Sequence, residues 1–346
     1  MEDYFKAEDD ISSDKNYRKV KPVSKNRYSI ENDEIIHKID QIDNRFLLQK
    51  FNLSDLNHAV SMVKNEKLKA YVDLSYSFIF SCLMRFNPKD RMFQDTITDL
   101  LSLLDGDDVS KEDSLSVLNF VTVKGNYLSS NHLLSFCVFL TYHKQKLCDE
   151  TIVMLYGYFV NTCDMTDFSN LSYVLSWYFE EKSVINEKID MDFLLSKCLD
   201  CASEMNECDL ECVLDLFMVI VQRDNIEIIP ILKKVLNIFS QHENDLMSSM
   251  KFKILSVINN IIASHGYSSI ECCMDEVITY FDFVIDQGAE DEFEILCPLI
   301  LELYFLDEEL YKKQAYDLLD KVNDLHCDLN DYDNISSYIK YFDDGD

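Results

Sequence analysis

Four cysteines, Cys198, Cys201, Cys208 and Cys212, stand in the pattern Cys-x2-Cys-x6-Cys-x3-Cys. Tetrahedral zinc takes four thiolates, and this spacing would gather them around the turn of a helical hairpin. A second reading stays open beside it, because the chain holds 12 cysteines and several fall inside apolar stretches such as Ser81-Cys82-Leu83 and Phe136-Cys137-Val138. Buried thiols in a reducing compartment are then enough to explain the pattern. The seven histidines (His37, His58, His132, His143, His242, His265 and His326) are widely spaced, and none pairs with a cysteine in a known catalytic pattern. The sequence contains no glycine-rich phosphate motif, no paired metalloprotease histidines and no Gly-x-Ser-x-Gly elbow. Acidic pairs such as Glu180-Glu181 recur too often in this chain to mark acid–base catalysis. The expectation is a protein without an active site, a cofactor or a bound metal.

The elements that must carry these residues are helices. Of 346 residues 47% are hydrophobic, yet only 6 are glycine and 4 proline, against average usages of roughly 7% and 5%. Tight turns and phosphate cradles need residues that tolerate positive φ, so this composition predicts long helices joined by short polar loops. From about residue 52 onward apolar residues recur at helical spacing, with breaks every 15 to 20 residues. The clearest pair begins at Pro230, which suits a first helical turn. Ile231, Leu232, Val235, Leu236 and Phe239 line one face, and a polar break over 240–245 follows. A second stripe runs from Leu246 through Met250, Ile254 and Ile258 to Ile262, closed by Gly266 as a left-handed C-cap. Similar hairpins are traced at 55–86, 90–124, 148–182, 190–224, 226–265, 267–304 and 306–343, with a shortened unit near 128–145. A period of about 35 to 40 residues is that of helical solenoids, whose units bury their apolar faces only by stacking. A single globular helical bundle is the alternative.

Charge divides the chain. The net charge is −31, from 63 acidic and 32 basic residues. Residues 1–30 carry seven basic groups (Lys6, Lys15, Arg18, Lys19, Lys21, Lys25, Arg27) against six acids, so the remainder carries 25 basic and 57 acidic residues. Such a body repels phosphate backbones and anionic lipid, and it attracts basic peptides. Acid that only keeps a large protein in solution is the plainer reading. The polar stretch 1–44 lacks sustained apolar periodicity and is read as a flexible, basic-containing segment preceding an array over 45–346. No charged-then-apolar leader is recognised at the N-terminus, and the apolar runs at 78–84 and 216–221 are too short to span a bilayer. With the thiol content, this predicts the cytoplasm or nucleus.

The order of segments resembles importin-α, the armadillo-repeat adaptor of nuclear import. Lys25-Asn26-Arg27-Tyr28-Ser29 and Arg45-Phe46-Leu47-Leu48-Gln49-Lys50-Phe51-Asn52 resemble the two ends of that family's N-terminal segment, and Asp55-Leu56-Asn57 resembles the start of its first repeat. The stretch 231–264 is similar to a later repeat, and Glu308-Glu309-Leu310-Tyr311-Lys312-Lys313-Gln314-Ala315-Tyr316 to the final one. The resemblance implies an all-α, right-handed superhelical solenoid of armadillo/HEAT-like repeats, about seven to eight of them. It also implies a concave, acidic groove for nuclear-localisation peptides. In that family third helices present tryptophan and, four residues later, asparagine: the indole stacks on lysine stems and the amide bonds the peptide backbone. The register places Leu115/Asn119, Phe136/Leu140, Tyr173/Trp177 and Ser256/Asn260 at these positions. The implied groove residues are thus Asn119, Phe136, Tyr173, Trp177 and Asn260, with Glu180 and Glu181 facing a lysine. The basic residues Lys15, Arg18, Lys19, Lys21, Lys25 and Arg27 are implied to bind an importin-β-like carrier, or to fold back onto the groove as pseudo-cargo. A HEAT-type scaffold subunit, docking partners without a cargo peptide, is the competing reading.

Overall fold

The computed structural model of the chain describes residues 52–64, 76–104, 109–160, 164–182, 184–202, 204–223, 226–242, 247–287, 290–306 and 309–325. The N-terminal segment 1–44 and the end of the last traced hairpin lie outside the described residues. Those described are helical, with short 3₁₀ turns and no strand. The α-helices are α1 (Leu53–Lys64), α2 (Tyr76–Leu83), α3 (Arg91–Leu104), α4 (Lys111–Lys124), α5 (Ser130–Tyr142), α6 (Asp149–Phe159), α7 (Met165–Glu181), α8 (Met191–Cys201), α9 (Glu207–Ile220), α10 (Ile228–His242), α11 (Ser248–His265), α12 (Met274–Gln287), α13 (Glu290–Tyr304) and α14 (Glu309–Leu325). They fall within the hairpins that the apolar periodicity predicts, and α5 fills the shortened unit. None is long and apolar enough to cross a membrane.

Local chemistry fixes the helix starts. Asn52 and Asp55 exchange side-chain-to-backbone hydrogen bonds at 3.0 Å each around the first turn of α1, a reciprocal capping box. Ser110, Ser129, Asp164, Asp190 and Asn206 each accept from the N–H three residues on, the commonest way to satisfy an orphan donor. Gly266 ends α11 at φ 75°, ψ 164° with its N–H bonded to the Ile262 carbonyl. The positive φ is as predicted. The ψ is not that of a left-handed turn: it belongs to an extended region open in practice only to glycine.

The described residues fall into two compact units, one up to residue 158 and the other from residue 159. In the first, α1 packs on α3, α3 on α5, and α2 on α4. In the second, α7, α9, α11 and α13 pack successively on one another, and so do α8, α10, α12 and α14. Within each unit, helices therefore stack on those two places along, in two layers. Side-chain bonds between stacked helices keep a steady offset in sequence: Ser77 to Asp113 (36 residues), Asn57 to Thr96 (39), Lys253 to Asp215 (38), Lys321 to Asp282 (39), Asn260 to Met218 (42). The core of the first unit is ring on ring, with Phe80, Phe120 and Phe136 at centroid distances of 5.1, 5.9 and 5.8 Å. In the second, Phe239 meets Tyr280 and Phe283 at 4.9 and 4.8 Å.

Candidate functional site

The aromatic–acidic stripe singled out in the sequence lies on α7. Asp164 caps its start, accepting from the Asp167 N–H at 3.1 Å. Its end is held by Arg223, whose Nη2 donates to the Phe179 carbonyl in the last turn and, at 2.7 Å, to that of the C-cap residue Lys182, where helix carbonyls leave accepting capacity open. Between these anchors Tyr173 and Trp177, four residues apart, are half-buried, and Glu180 and Glu181 are exposed. Residues at i, i+3 and i+4 share a helix face, so aromatic surface and carboxylates run together along α7. The Trp177 indole Nε1 is buried with no hydrogen-bond partner among the described residues, which costs about 1–3 kcal/mol. The arrangement offers a lysine or arginine a ring to lie on and an acid to face.

The next two helices of the layer, α9 and α11, are joined by polar contacts. Lys253 of α11 sits between Asp215 (2.8 Å) and Glu211 (3.6 Å) of α9, and Ser249 donates to Glu211. Burial raises the Asp215 carboxyl above its usual value, opposed by the bonded Lys253. Further along, Asn260 Nδ2 donates to the Met218 carbonyl at 2.9 Å and His265 Nε2 to that of Val221 at 2.8 Å. Asn260, expected to hold a peptide backbone, is thus committed to the last turns of α9. Asn260→Ala is expected to cost about 1 kcal/mol in a urea titration and to leave the affinity for a basic peptide unchanged; a weakened affinity at equal stability would return the amide to the groove.

In the first unit Asn119 is exposed on α4, four residues from exposed Leu115. Phe136 is corrected outright as a groove residue: it is fully buried, and its ring packs between Phe80 and Phe120 rather than facing a ligand. Its register partner Leu140 is buried as well. The basic residues Lys15, Arg18, Lys19, Lys21, Lys25 and Arg27 lie outside the described residues.

The cysteine cluster does not assemble into a metal site: among the described residues no three His, Cys, Asp or Glu side chains group closely enough. Cys198 and Cys201 are buried in α8, Cys208 is exposed on α9, and Cys212 bonds Ser169 of α7. The ten described cysteines are free thiols. His132 bridges α5 to α3, its Nδ1 3.1 Å from Gln94 Oε1 and its Nε2 3.0 Å from Thr98 Oγ1, and burial lowers its pKa. It is a structural histidine in a helix seam.

Lys253, Glu211 and Asp215, one ammonium held between two carboxylates at the seam of α9 and α11, were passed over in the sequence. Their one signal was the offset: Lys253 lies 42 and 38 residues after its partners, one period of the array. Comparison of the chain with known protein families, with curated proteins and with solved structures gives no match.

Proposed function

We propose that this chain is a non-enzymatic protein-binding adaptor: a right-handed superhelical solenoid of armadillo/HEAT-like hairpins whose acidic body holds basic segments of partner proteins. The observation that carries this reading is the packing of helices on those two places along, with side-chain bonds at a steady offset of about one hairpin. Units of that kind leave long faces of regularly spaced side chains, which solenoids use to bind other proteins. The net charge of −31 selects basic partners and speeds their encounter.

In its specific form the adaptor serves nuclear import, moving between cytoplasm and nucleus as importin-α does. Localisation peptides lie along Tyr173, Trp177, Glu180 and Glu181 of the second unit, Asn119 is a separate candidate contact in the first, and the basic residues Lys15 to Arg27 engage an importin-β-like carrier or compete for the groove. One observation favours the second reading, a HEAT-type scaffold without cargo peptide. The stacking repeats every two helices, whereas the groove of the armadillo family is lined by third helices, and the Asn260 amide is already used.

The two readings separate in one experiment. A chain shortened to 45–346 is expected to bind a lysine-rich peptide more tightly than the full chain, because the competing basic residues are gone. Tyr173→Ala with Trp177→Ala should then weaken that binding about tenfold, cation–π contacts contributing about 0.5–2 kcal/mol. Capture of importin-β by the full chain should disappear when the six basic residues are replaced by alanine. Equal peptide affinities for the two chain lengths, and no capture of importin-β, would leave the scaffold reading.

A further inference from the structure

The 3₁₀ turn Glu271–Cys273, which leads into α12, sets two thiols side by side. Cys272 is exposed, Cys273 is buried, and their sulfurs are 3.7 Å apart. Next to Cys273 an open cavity of about 310 Å³ lies between α10 and α12. Its wall joins the apolar side chains Leu236 and Phe239 to the polar Lys233, Glu276 and Thr279, with Cys273 at one edge. Among the described residues no other cysteine pair in the second unit has this combination. Cys198 and Cys201 are both buried, and Cys212 is engaged with Ser169.

We propose that Cys272 and Cys273 form a chelating dithiol for a soft, thiophilic trivalent centre that already carries one organic group, the organoarsenical class, with that group seated in the cavity against Leu236 and Phe239. Three physical arguments select this ligand over the other chemistry open to two thiols. A direct disulfide would have to bring the sulfurs to about 2.05 Å. Adjacent Cα atoms stand about 3.8 Å apart, shorter than the 4.4–6.8 Å usual across a disulfide, so the turn would have to be rebuilt. A single atom bonded to both sulfurs spans the existing gap instead.

Zinc needs three or four protein ligands, and no third His, Cys, Asp or Glu among the described residues completes such a group. A monosubstituted arsenic needs only two, its third bond being made already to carbon. An apolar cavity of about 150 Å³ takes up benzene, so the space beside Cys273 admits a phenyl ring.

The bonds balance without an oxidant. Two S–H bonds and the arsenic–oxygen double bond break, two As–S bonds form, and the oxygen leaves as water with both thiol protons. Burial, then the neighbouring Cys272, hold the Cys273 thiol up at about 11. The attacking species is the thiolate, so the exposed Cys272 makes the first As–S bond and Cys273 closes the chelate.

The test uses the folded full-length chain and phenylarsine oxide. At one equivalent, intact-mass analysis is expected to show a single adduct, released by a small dithiol but not by an equal concentration of a monothiol. Cys272→Ser, at an exposed position, should keep the helical circular dichroism and weaken binding about hundredfold, the effect of losing the second of two linked contacts. Cys208→Ser should leave binding unchanged. Inorganic arsenite, with no ring to place, should bind more weakly than the phenyl compound. Absence of the adduct, or an adduct of unchanged affinity in Cys272→Ser, overturns the site. Equal affinity for arsenite and the phenyl compound overturns the cavity's part in it.

Discussion

Phe136→Ala is expected to destabilise the first unit by about 3–5 kcal/mol, the cost of emptying a buried aromatic site. Phe136 is fully buried and closes a triangle with Phe80 and Phe120, each at under 6 Å. Ring pairs of that kind add about 0.5–1.5 kcal/mol beyond their buried area. The three rings come from α2, α4 and α5, so their loss loosens both layers together. A urea titration followed by circular dichroism reads this as a lower midpoint for the first unit with an unchanged slope. A loss below about 1 kcal/mol, together with weakened peptide binding, would mean that this ring faces a ligand after all.

Alkaline conditions are expected to destabilise both units steeply between pH 9 and 10. Burial pushes the thiols of Cys82 and Cys297 up to about 12, and it raises those of Cys137 and Cys198 as well. In the unfolded chain each ionises near 9.0. The folded-state values are raised, so the stabilising contribution is complete below pH 9 and is lost as pH climbs towards the folded values. At 1.36 kcal/mol per pKa unit, each thiol forfeits about 1 kcal/mol over that single pH step. Cys82 and Cys137 belong to the first unit, and Cys198, Cys297 and Cys273 (held up at about 11) to the second, which makes about 2 kcal/mol for the first and about 3 kcal/mol for the second against a typical total of 5–15 kcal/mol. Urea midpoints at pH 8, 9 and 10 measure the loss, and the pair Cys82→Ala with Cys137→Ala should flatten it in the first unit alone. A profile equally steep in that variant would assign the loss to other groups.

Helix positions were legible in the sequence because the signals are local. Pro230 marks a first turn, Gly266 marks an end, and the apolar stripe of α10 recurs at 3.6 residues. Which face of a helix meets which neighbour was not legible. In a two-layered stack a helix touches the helices two places before and after it and those of the other layer, so apolar residues surround much of its circumference. In α4, Val117, Phe120 and Val121 are buried while Leu115 and Val123 are exposed, and periodicity alone cannot separate the two sets. Phe136 and Tyr173 therefore read alike in sequence, though one is core and the other half-exposed. Asn260 was placed in the groove and Lys253 passed over for a related reason: their partners lie about one hairpin away. Only an alignment of the hairpins with one another would have brought Asn260 to Met218 or Lys253 to Asp215. The thiol pair at Cys272 and Cys273 needed coordinates, because two adjacent cysteines say nothing of a neighbouring cavity.

The central claim is that the acidic body holds basic segments of other proteins. Equilibrium binding of a labelled lysine-rich peptide to residues 45–346, followed from 0.1 M to 1 M salt, tests it most directly, since the screening length falls from about 10 Å to about 3 Å over that range. The account predicts binding at low salt that weakens at least about tenfold, and none to a peptide with its lysines replaced by glutamine. Equal binding of the two peptides, or no binding of either at low salt, would contradict it.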